Sequence, residues 1–217
     1  MGKGQRISIL RWLVNIGAVV PLVWLGVSYL TNNLSFNPIQ TATSRTGDYA
    51  LWLLWLSLAC TPVYLLTGWS DVIVLRRPLG LFAFVYAAVH MLIFVGWDYG
   101  FRWAQVLPLF GQNIYLMVGA ASLFLLFVLA LTSYKWSMRL LGIGWRHLHR
   151  FVYVAAVLVV IHYALVVDGN ILKLQGDILE PLAYGLVLLL LLVLRLPFVR
   201  SRLARRRREQ GNGGFAH

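Results

Sequence analysis

The sequence predicts an all-α integral membrane protein built as a bundle of six transmembrane helices. Hydrophobic residues make up 60% of its 217 positions and charged residues 12%, whereas soluble domains carry roughly 25% charged residues. A backbone surrounded by lipid has to satisfy its own hydrogen bonds, so long apolar segments are predicted to be helices. Six stretches are long enough to cross the ~30 Å hydrocarbon core: about Trp12–Leu30, Tyr49–Thr67, Leu79–Trp97, Ile114–Tyr134, Leu148–Val167 and Ile178–Leu194.

The net charge of +12 is divided unequally between the two predicted faces. Six spans place both termini on one face, and that face carries every Lys and Arg except Arg45, Arg102 and Lys173. The positive-inside rule therefore predicts that both termini are cytoplasmic. The run Arg205–Arg208 lies in a basic tail, 201–217, which is expected to be disordered and to contact anionic membrane lipid rather than nucleic acid.

The first three helices are each marked by their flanking residues. The first follows basic residues as a signal peptide does, but its apolar run is too long and no small-residue cleavage site follows, so it is expected to remain as a helix. Polar residues 32–48 predict a loop. The second helix contains Pro62, which frees a backbone carbonyl for Thr61 or a neighbouring helix to satisfy. Pro78 lies in the first turn of the third helix, where its missing donor costs nothing.

The last three helices follow a second outer loop, predicted at 99–113. The fourth helix returns to the basic segment Lys135–Arg150, and the fifth runs outward from it. The sixth begins at Glu180-Pro181, an acidic first turn that suits the helix dipole. Cys60 lies in the middle of the second helix and is expected to pack as a small apolar residue. No internal repeat is visible in the sequence.

Three histidines, His90, His149 and His162, lie in the predicted spans. A histidine within a membrane is costly, so each is a candidate functional residue, and imidazole is a common axial ligand of haem iron. His90 lies 13 residues past Arg77, and His162 lies 12 past Arg150. At ~1.5 Å per residue both are ~18–20 Å from the inner border. Two histidines at one depth on neighbouring spans are predicted to clamp one cofactor.

His149 is predicted near the inner border, ~20 Å from His162. Their separation of 13 residues leaves the two rings ~140° apart around an ideal helix. Two explanations stay open: two cofactors flank different sides of the fifth helix, or that helix bends or carries a π-bulge, which is common at functional sites. His147 lies two residues before His149 and faces another direction, so these two histidines are a poor chelate on a helix.

A small transporter or channel that uses the histidines as a proton relay is the alternative function. No acidic residue lies in the interior of a predicted span, which weighs against proton-coupled transport. A haem brings its own carboxylates, which need basic partners at the membrane edge. Arg77 and Arg150 are available there, and an arginine that stays protonated is a poor iron ligand but a good clamp for propionate or phosphate.

Three blocks of the sequence match a known family in order and spacing. They are Thr46-Gly47 with Ala50-Leu51 and Thr61-Pro62, then RRPLGLFAFVYAAVH (Arg76–His90), then RLLGIGWRHLHRFVYVAAVLVVIHY (Arg139–Tyr163). On these residues the chain resembles the MsrQ/YedZ family, the haem-binding membrane subunit of the bacterial methionine-sulfoxide reductase system. That family is similar to the wider ferric-reductase-like transmembrane group. The match covers about Asn37 to Tyr163.

The resemblance implies that 1–200 form a ferric-reductase-like transmembrane domain that binds b-type haem, with His90, His149 and His162 as iron ligands. It implies a multi-pass electron-transfer subunit of an inner-membrane oxidoreductase system rather than the catalytic subunit. Electrons are expected to come from a cytoplasmic flavin reductase or from quinol. They are expected to pass to a periplasmic molybdopterin-dependent methionine-sulfoxide reductase.

The inner site stays open. Ferric reductases of the wider group carry a second inner histidine 13 residues before the position of His90, and here that residue is Arg77. The resemblance therefore implies one haem or two. Either an inner haem is held by His149 and a weak or unidentified sixth ligand, or there is no inner haem and FMN binds nearby. Arg77 and Arg150 are the further residues expected to bind cofactor.

Overall fold

The structure, a computed structural model, describes residues 2–167, 169–170, 175–176, 179–199 and 201–202, which are almost entirely helical. The long helices are α1 (Lys3–Leu30), α2 (Pro38–Thr67), α3 (Arg76–Leu92), α5 (Ile114–Leu131), α8 (Phe151–Val166) and α9 (Leu179–Val193). Shorter ones are α4 (Trp103–Gln112), α6 (Lys135–Leu141) and α7 (Ile143–Leu148). Between α8 and α9, β1 (Gly169–Asn170) pairs antiparallel with β2 (Gln175–Gly176).

Five helical segments of the described chain are long and apolar enough to cross a membrane. They are Lys3–Leu30, Pro38–Thr67, Ser70–Asp98, Ile114–Leu131 and Ile143–Val166. The helix at the sixth predicted span, α9, has 15 residues, fewer than the ~20 that a full crossing needs. The predicted helical, multi-pass membrane architecture is confirmed, whereas the sixth crossing and the side on which the termini lie stay predictions.

The predicted loop at 32–48 is wrong, because α2 already begins at Pro38. Asn37 caps this helix: its side-chain oxygen accepts a hydrogen bond from the backbone N–H of Gln40 at 3.2 Å, and proline suits the first helical position. The second predicted loop, 99–113, contains α4. Polar composition therefore marked segments outside the apolar core of the bundle, but these segments are helical.

Two helix pairs form the centre of the bundle. α2 packs along α3, and α5 packs along α8, while α3 also touches α5. The central cluster includes Leu54, Leu58 and three alanines that are fully buried, Ala83, Ala155 and Ala156. Small residues let helix backbones approach closely, which is how helices associate in lipid. The packing thus places α3 and α8 around a common interior.

The carbonyl freed by Pro62 is satisfied from another part of the chain. The carbonyl of Leu58, four residues before this proline, accepts a hydrogen bond from Nη2 of Arg195, just after α9. The buried Thr61 hydroxyl has no hydrogen-bond partner within the described structure. Of the two predicted ways to satisfy this carbonyl, a neighbouring segment is therefore the one used. Lys173 and the run Arg205–Arg208 lie outside the described residues.

Candidate functional site

His90 and His162 face each other across the interior between α3 and α8. Their ring centroids are 6.2 Å apart, and the ring planes cross at 85°. The two residues lie on different helices and far apart in the sequence. Their close approach is therefore produced by the packing of the bundle. This proximity agrees with the predicted equal depth of the two residues, which stays a prediction. Their role as ligands stays a prediction.

Each of these rings is held by a backbone carbonyl. Nδ1 of His90 lies 2.8 Å from the carbonyl oxygen of Thr43 in α2, and Nδ1 of His162 lies 2.8 Å from that of Tyr115 in α5. A carbonyl can only accept a hydrogen bond, so Nδ1 must carry the proton in both rings. The lone pair is then on Nε2, which is the form of imidazole that binds a metal ion.

The spacing of the pair fits one haem iron. Metal–nitrogen bonds to histidine are ~2 Å, so two imidazoles on opposite sides of one metal ion have ring centres ~6 Å apart. The observed separation is 6.2 Å. Both side chains are partly buried, as suits a cofactor inserted between helices. The residues present therefore fit a haem with two histidine ligands.

His149 lies in a separate place, at a break in the helical chain. It directly follows α7. Two successive tight turns are formed here, one from Arg150 N–H to the carbonyl of His147 and one from Tyr153 N–H to that of Arg150. The expected 140° offset from His162 assumed one continuous helix and does not apply. Residues 149–150 are turns and not a π-helix; a π-helix instead follows α3, at Ile93–Asp98.

The His149 ring is packed and hydrogen-bonded at this break. Its Nε2 lies 3.2 Å from the hydroxyl of Thr132. The ring of Trp145 stacks on it at 4.2 Å between centroids, and the indole N–H donates to the carbonyl of Thr132 at 2.9 Å. His147, in contrast, is exposed, which agrees with the prediction that it faces another direction.

A cavity of about 380 Å³ opens beside His149, at the basic ends of α3 and α8. This volume lies within the range of cofactor sites, roughly 300–1,000 Å³. None of the described lining residues is a carboxylate. Five of them are arginines: Arg76, Arg77, Arg146, Arg150 and Arg195. The structure thus brings the predicted Arg77 and Arg150 together with His149. Such a cavity suits an anionic group, which several guanidinium groups can bind.

Two residues of this arginine-lined cavity were missed by sequence reasoning. Arg195 was counted only toward the charge of the inner face, yet it reaches between helices and lines the cavity. Met138 of α6 supplies the one sulfur atom among the lining residues, and a thioether is a known axial ligand of haem. No motif or spacing marks either residue, because both reach the cavity through segments that lie far apart in sequence.

One acidic residue also differs from its predicted position. Asp48 was expected at the end of a loop, but it lies inside α2, directly after Gly47. Glu180, at the start of α9, accepts a hydrogen bond from the hydroxyl of Tyr163 at 2.6 Å. These carboxylates belong to the end of the bundle near His90 and His162, opposite the arginine-lined cavity.

Comparison with known proteins gives a consistent result. Residues 46–160 match the family described as ferric reductase like transmembrane component. A protein of Rhodospirillum rubrum named "Protein-methionine-sulfoxide reductase heme-binding subunit MsrQ" is 42% identical over 194 residues, which cover 88% of this chain and 90% of the relative. Proteins with the same name from Bordetella pertussis and Herminiimonas arsenicoxydans are 37% and 36% identical. The match to the Bordetella protein covers 87% of this chain and 89% of that protein. The match to the Herminiimonas protein covers 88% of this chain and 85% of that protein.

The chain belongs to the MsrQ/YedZ family. The resemblance that the three sequence blocks indicated is thereby confirmed, and it extends over most of the chain rather than over the blocks alone. The segment that matches the wider ferric-reductase-like family includes His90 and His149 and ends two residues before His162.

Proposed function

We propose that this MsrQ/YedZ protein is a b-type cytochrome that carries electrons across the inner membrane to a periplasmic methionine-sulfoxide reductase. The observation that supports this most directly is the pair of Nε2-presenting imidazoles with ring centroids 6.2 Å apart. The names of the relatives, which are heme-binding subunits of protein-methionine-sulfoxide reductase, point the same way. The chain is the electron-transfer subunit, and a molybdopterin-dependent partner is the catalytic one.

His90 and His162 hold the outer haem in this proposal. Bound haem supplies a one-electron iron couple whose potential depends on its ligands and surroundings. The two histidines would supply the iron ligands, and the carbonyls of Thr43 and Tyr115 keep each ring in the tautomer that leaves Nε2 free. The helices around them keep bulk water away from the iron.

The arginine-lined cavity is the inner cofactor site in this proposal. Its guanidinium groups bind either the propionates of a second haem, with His149 as one ligand, or the phosphate of FMN. Met138 is the residue of the lining that suits a weak sixth ligand. Arg77 and Arg150 bind the anionic group in both arrangements, so the proposal for these two residues does not depend on which cofactor is present.

The direction of electron flow follows from the distribution of charge. With α9 as a sixth crossing, accommodated by local thinning of the bilayer, both termini and the arginine-lined cavity lie on the cytoplasmic side. A cytoplasmic flavin reductase or quinol then delivers electrons at the cavity. The His90–His162 end lies toward the periplasm, where the partner reductase docks.

The outer haem is tested by replacing its two ligands separately. His90→Ala and His162→Ala should each abolish the same low-spin haem signal of the detergent-purified protein, because each supplies one side of one iron. His147→Ala is the matched control, since this exposed residue should leave the spectrum unchanged. Full retention of the signal in either ligand variant would show that the two do not share an iron. A folded, colourless wild-type protein would reject the cytochrome and favour a transporter or channel.

The inner site is tested by counting cofactors. His149→Ala should remove a second, spectroscopically distinct haem while the outer one remains, as measured by pyridine haemochrome with iron analysis. If the wild type holds one haem per chain and His149→Ala leaves it unchanged, there is no inner haem held by His149. Flavin fluorescence of the denatured protein then decides whether FMN occupies the cavity. Arg77→Ala should lower the content of whichever inner cofactor is present, and Arg139→Ala, an exposed arginine outside the cavity lining, should not.

A further inference from the structure

The two histidines of the outer pair are held by the same arrangement in two different helix pairs. In both hydrogen bonds the histidine follows its carbonyl partner by 47 residues. The carbonyl lies on α2 for His90 of α3, and on α5 for His162 of α8. These are the two tightly packed helix pairs of the bundle. The same histidine–carbonyl arrangement thus recurs in the two helix pairs, although no repeat is visible in the sequence.

A glycine lies one helical turn after each of these carbonyls. Gly47 follows Thr43 by four residues, and Gly119 follows Tyr115 by four. A Cβ built on Gly47 would lie 3.3 Å from Nδ1 of His90. A Cβ built on Gly119 would lie 2.8 Å from Nδ1 of His162, closer than such contacts occur. Each histidine ring thus occupies the space that a side chain at the glycine would fill.

Among the glycines of the described chain, only these two lie against a histidine ring. Gly17 and Gly26 also lie inside a long helix, α1, yet a Cβ at either would meet nothing within 4 Å. Side chains of a helix point back toward its N-terminus, over the carbonyl of the preceding turn. A residue with a side chain at position 47 or 119 would therefore cover the carbonyl that the imidazole has to reach.

We propose that Gly47 and Gly119 are positioning residues for the two haem-ligating imidazoles. The missing side chains let each ring donate its Nδ1–H to a helix carbonyl. That hydrogen bond makes Nε2 a stronger donor to iron and fixes the ring orientation. The inference rests on the proposed ligation of the outer haem by His90 and His162, which it deepens by naming residues that do not touch the iron.

Substitution by alanine should disturb the histidine ring more at position 119 than at position 47. Alanine at 119 meets the His162 ring at 2.8 Å, so the ring has to move and its bond to the Tyr115 carbonyl is lost. Alanine at 47 requires the His90 ring to move by only a few tenths of an ångström. A weaker Nε2 donor stabilises ferric iron less, so the midpoint potential should rise. Loss of such a supporting hydrogen bond typically weakens metal affinity by roughly 10- to 100-fold.

The experiment compares Gly119→Ala and Gly47→Ala with Gly26→Ala in the detergent-purified, haem-loaded protein. The readouts are the midpoint potential, the low-spin electron paramagnetic resonance spectrum and the affinity of the apoprotein for haem. We expect a raised potential, a shifted low-spin spectrum and affinity lower by about tenfold or more in Gly119→Ala. The same changes should be smaller in Gly47→Ala and absent in Gly26→Ala. All three substitutions add one methyl group within a helix, so their effect on helix propensity is matched.

The outcomes separate this inference from the proposed function. If His90→Ala and His162→Ala keep the outer haem, the proposed ligation itself fails. If those variants lose the haem while Gly119→Ala keeps the wild-type potential, spectrum and affinity, the positioning role alone is overturned. Should Gly119→Ala fail to fold, Gly47→Ala decides the question, because its milder contact leaves the helix pair intact. A wild-type potential and spectrum in that variant would overturn the inference.

Discussion

At the scale of single residues, Arg195 places a charge among helices of the bundle. Its guanidinium is largely buried, donates to the carbonyl of Leu58 and donates to the hydroxyl of Tyr153 at 2.7 Å. It also lies over the ring of Tyr153, 5.3 Å from the centroid. A buried charge is costly unless it is paired and hydrogen-bonded, and these partners are all neutral. Arg195 therefore combines two roles: it satisfies a carbonyl of α2 and contributes positive charge to the inner cavity.

The link between Arg195 and Pro62 can be measured with a double-mutant cycle. Arg195→Met should destabilise the protein, because the Leu58 carbonyl is left buried without a donor. In the Pro62→Ala background, residue 62 regains its N–H and the helix can satisfy that carbonyl. Arg195→Met should then cost less, with a coupling energy of roughly 0.5–2 kcal/mol, as for hydrogen bonds between membrane helices. Unfolding in mixed detergent micelles provides the free energies. Strictly additive effects would show that the carbonyl does not link the two residues.

At the scale of helices, hydropathy located the membrane-crossing segments better than it located helix ends. The spans predicted around α1, α3, α5 and α8 correspond to helices of the structure. The start of α2 was missed because its first turns are rich in threonine and other polar residues. Those threonines bond back to the helix: the hydroxyl of Thr46 donates to the carbonyl of Ala42 at 2.8 Å. Polarity there reports the surroundings of the helix rather than the absence of one.

The regular rise and rotation per residue of a helix predicted part of the candidate site but not the rest. The closeness of His90 and His162 agrees with a constant rise per residue, which holds within each of their uninterrupted helices. The angle between His149 and His162 required continuity across Arg150, and tight turns interrupt the helix there. The supporting carbonyls and the glycines beside them could not be predicted, since they depend on which helices pack together. Tertiary packing, and not local pattern, determines these features.

At the scale of the whole molecule, the outer surface of the bundle is suited to lipid. The buried residues of α1 are Ala18, Leu25 and Ser28, while large apolar side chains such as Trp12, Leu13 and Val23 are exposed. Within this apolar belt the paired histidines and the arginine-lined cavity lie toward opposite ends of α8. The fold therefore separates the two proposed redox sites along α8, as the proposed transfer across the membrane requires.

The direction of transfer depends on the topology, which the chain's cysteine content makes measurable. Cys60 is the sole cysteine of the sequence and is buried, so Cys60→Ala provides a background without reactive thiols. Single cysteines are then placed at Phe36, Trp136 and Ser201, all of which are exposed. Phe36 precedes α2 on the predicted outer side, Trp136 lies in α6 on the predicted inner side, and Ser201 follows α9.

A membrane-impermeant maleimide applied to spheroplasts should label Phe36→Cys and leave Trp136→Cys unlabelled until the membrane is permeabilised. Ser201→Cys should behave like Trp136→Cys, because a sixth crossing by α9 returns the chain to the cytoplasm. Labelling of Ser201→Cys in intact spheroplasts, with Trp136→Cys protected, would mean that α9 does not cross. Labelling of Trp136→Cys with protection of Phe36→Cys would invert the bundle. The arginine-lined cavity would then face the periplasm, and the proposed direction of electron flow would be reversed, whichever cofactor the cavity holds.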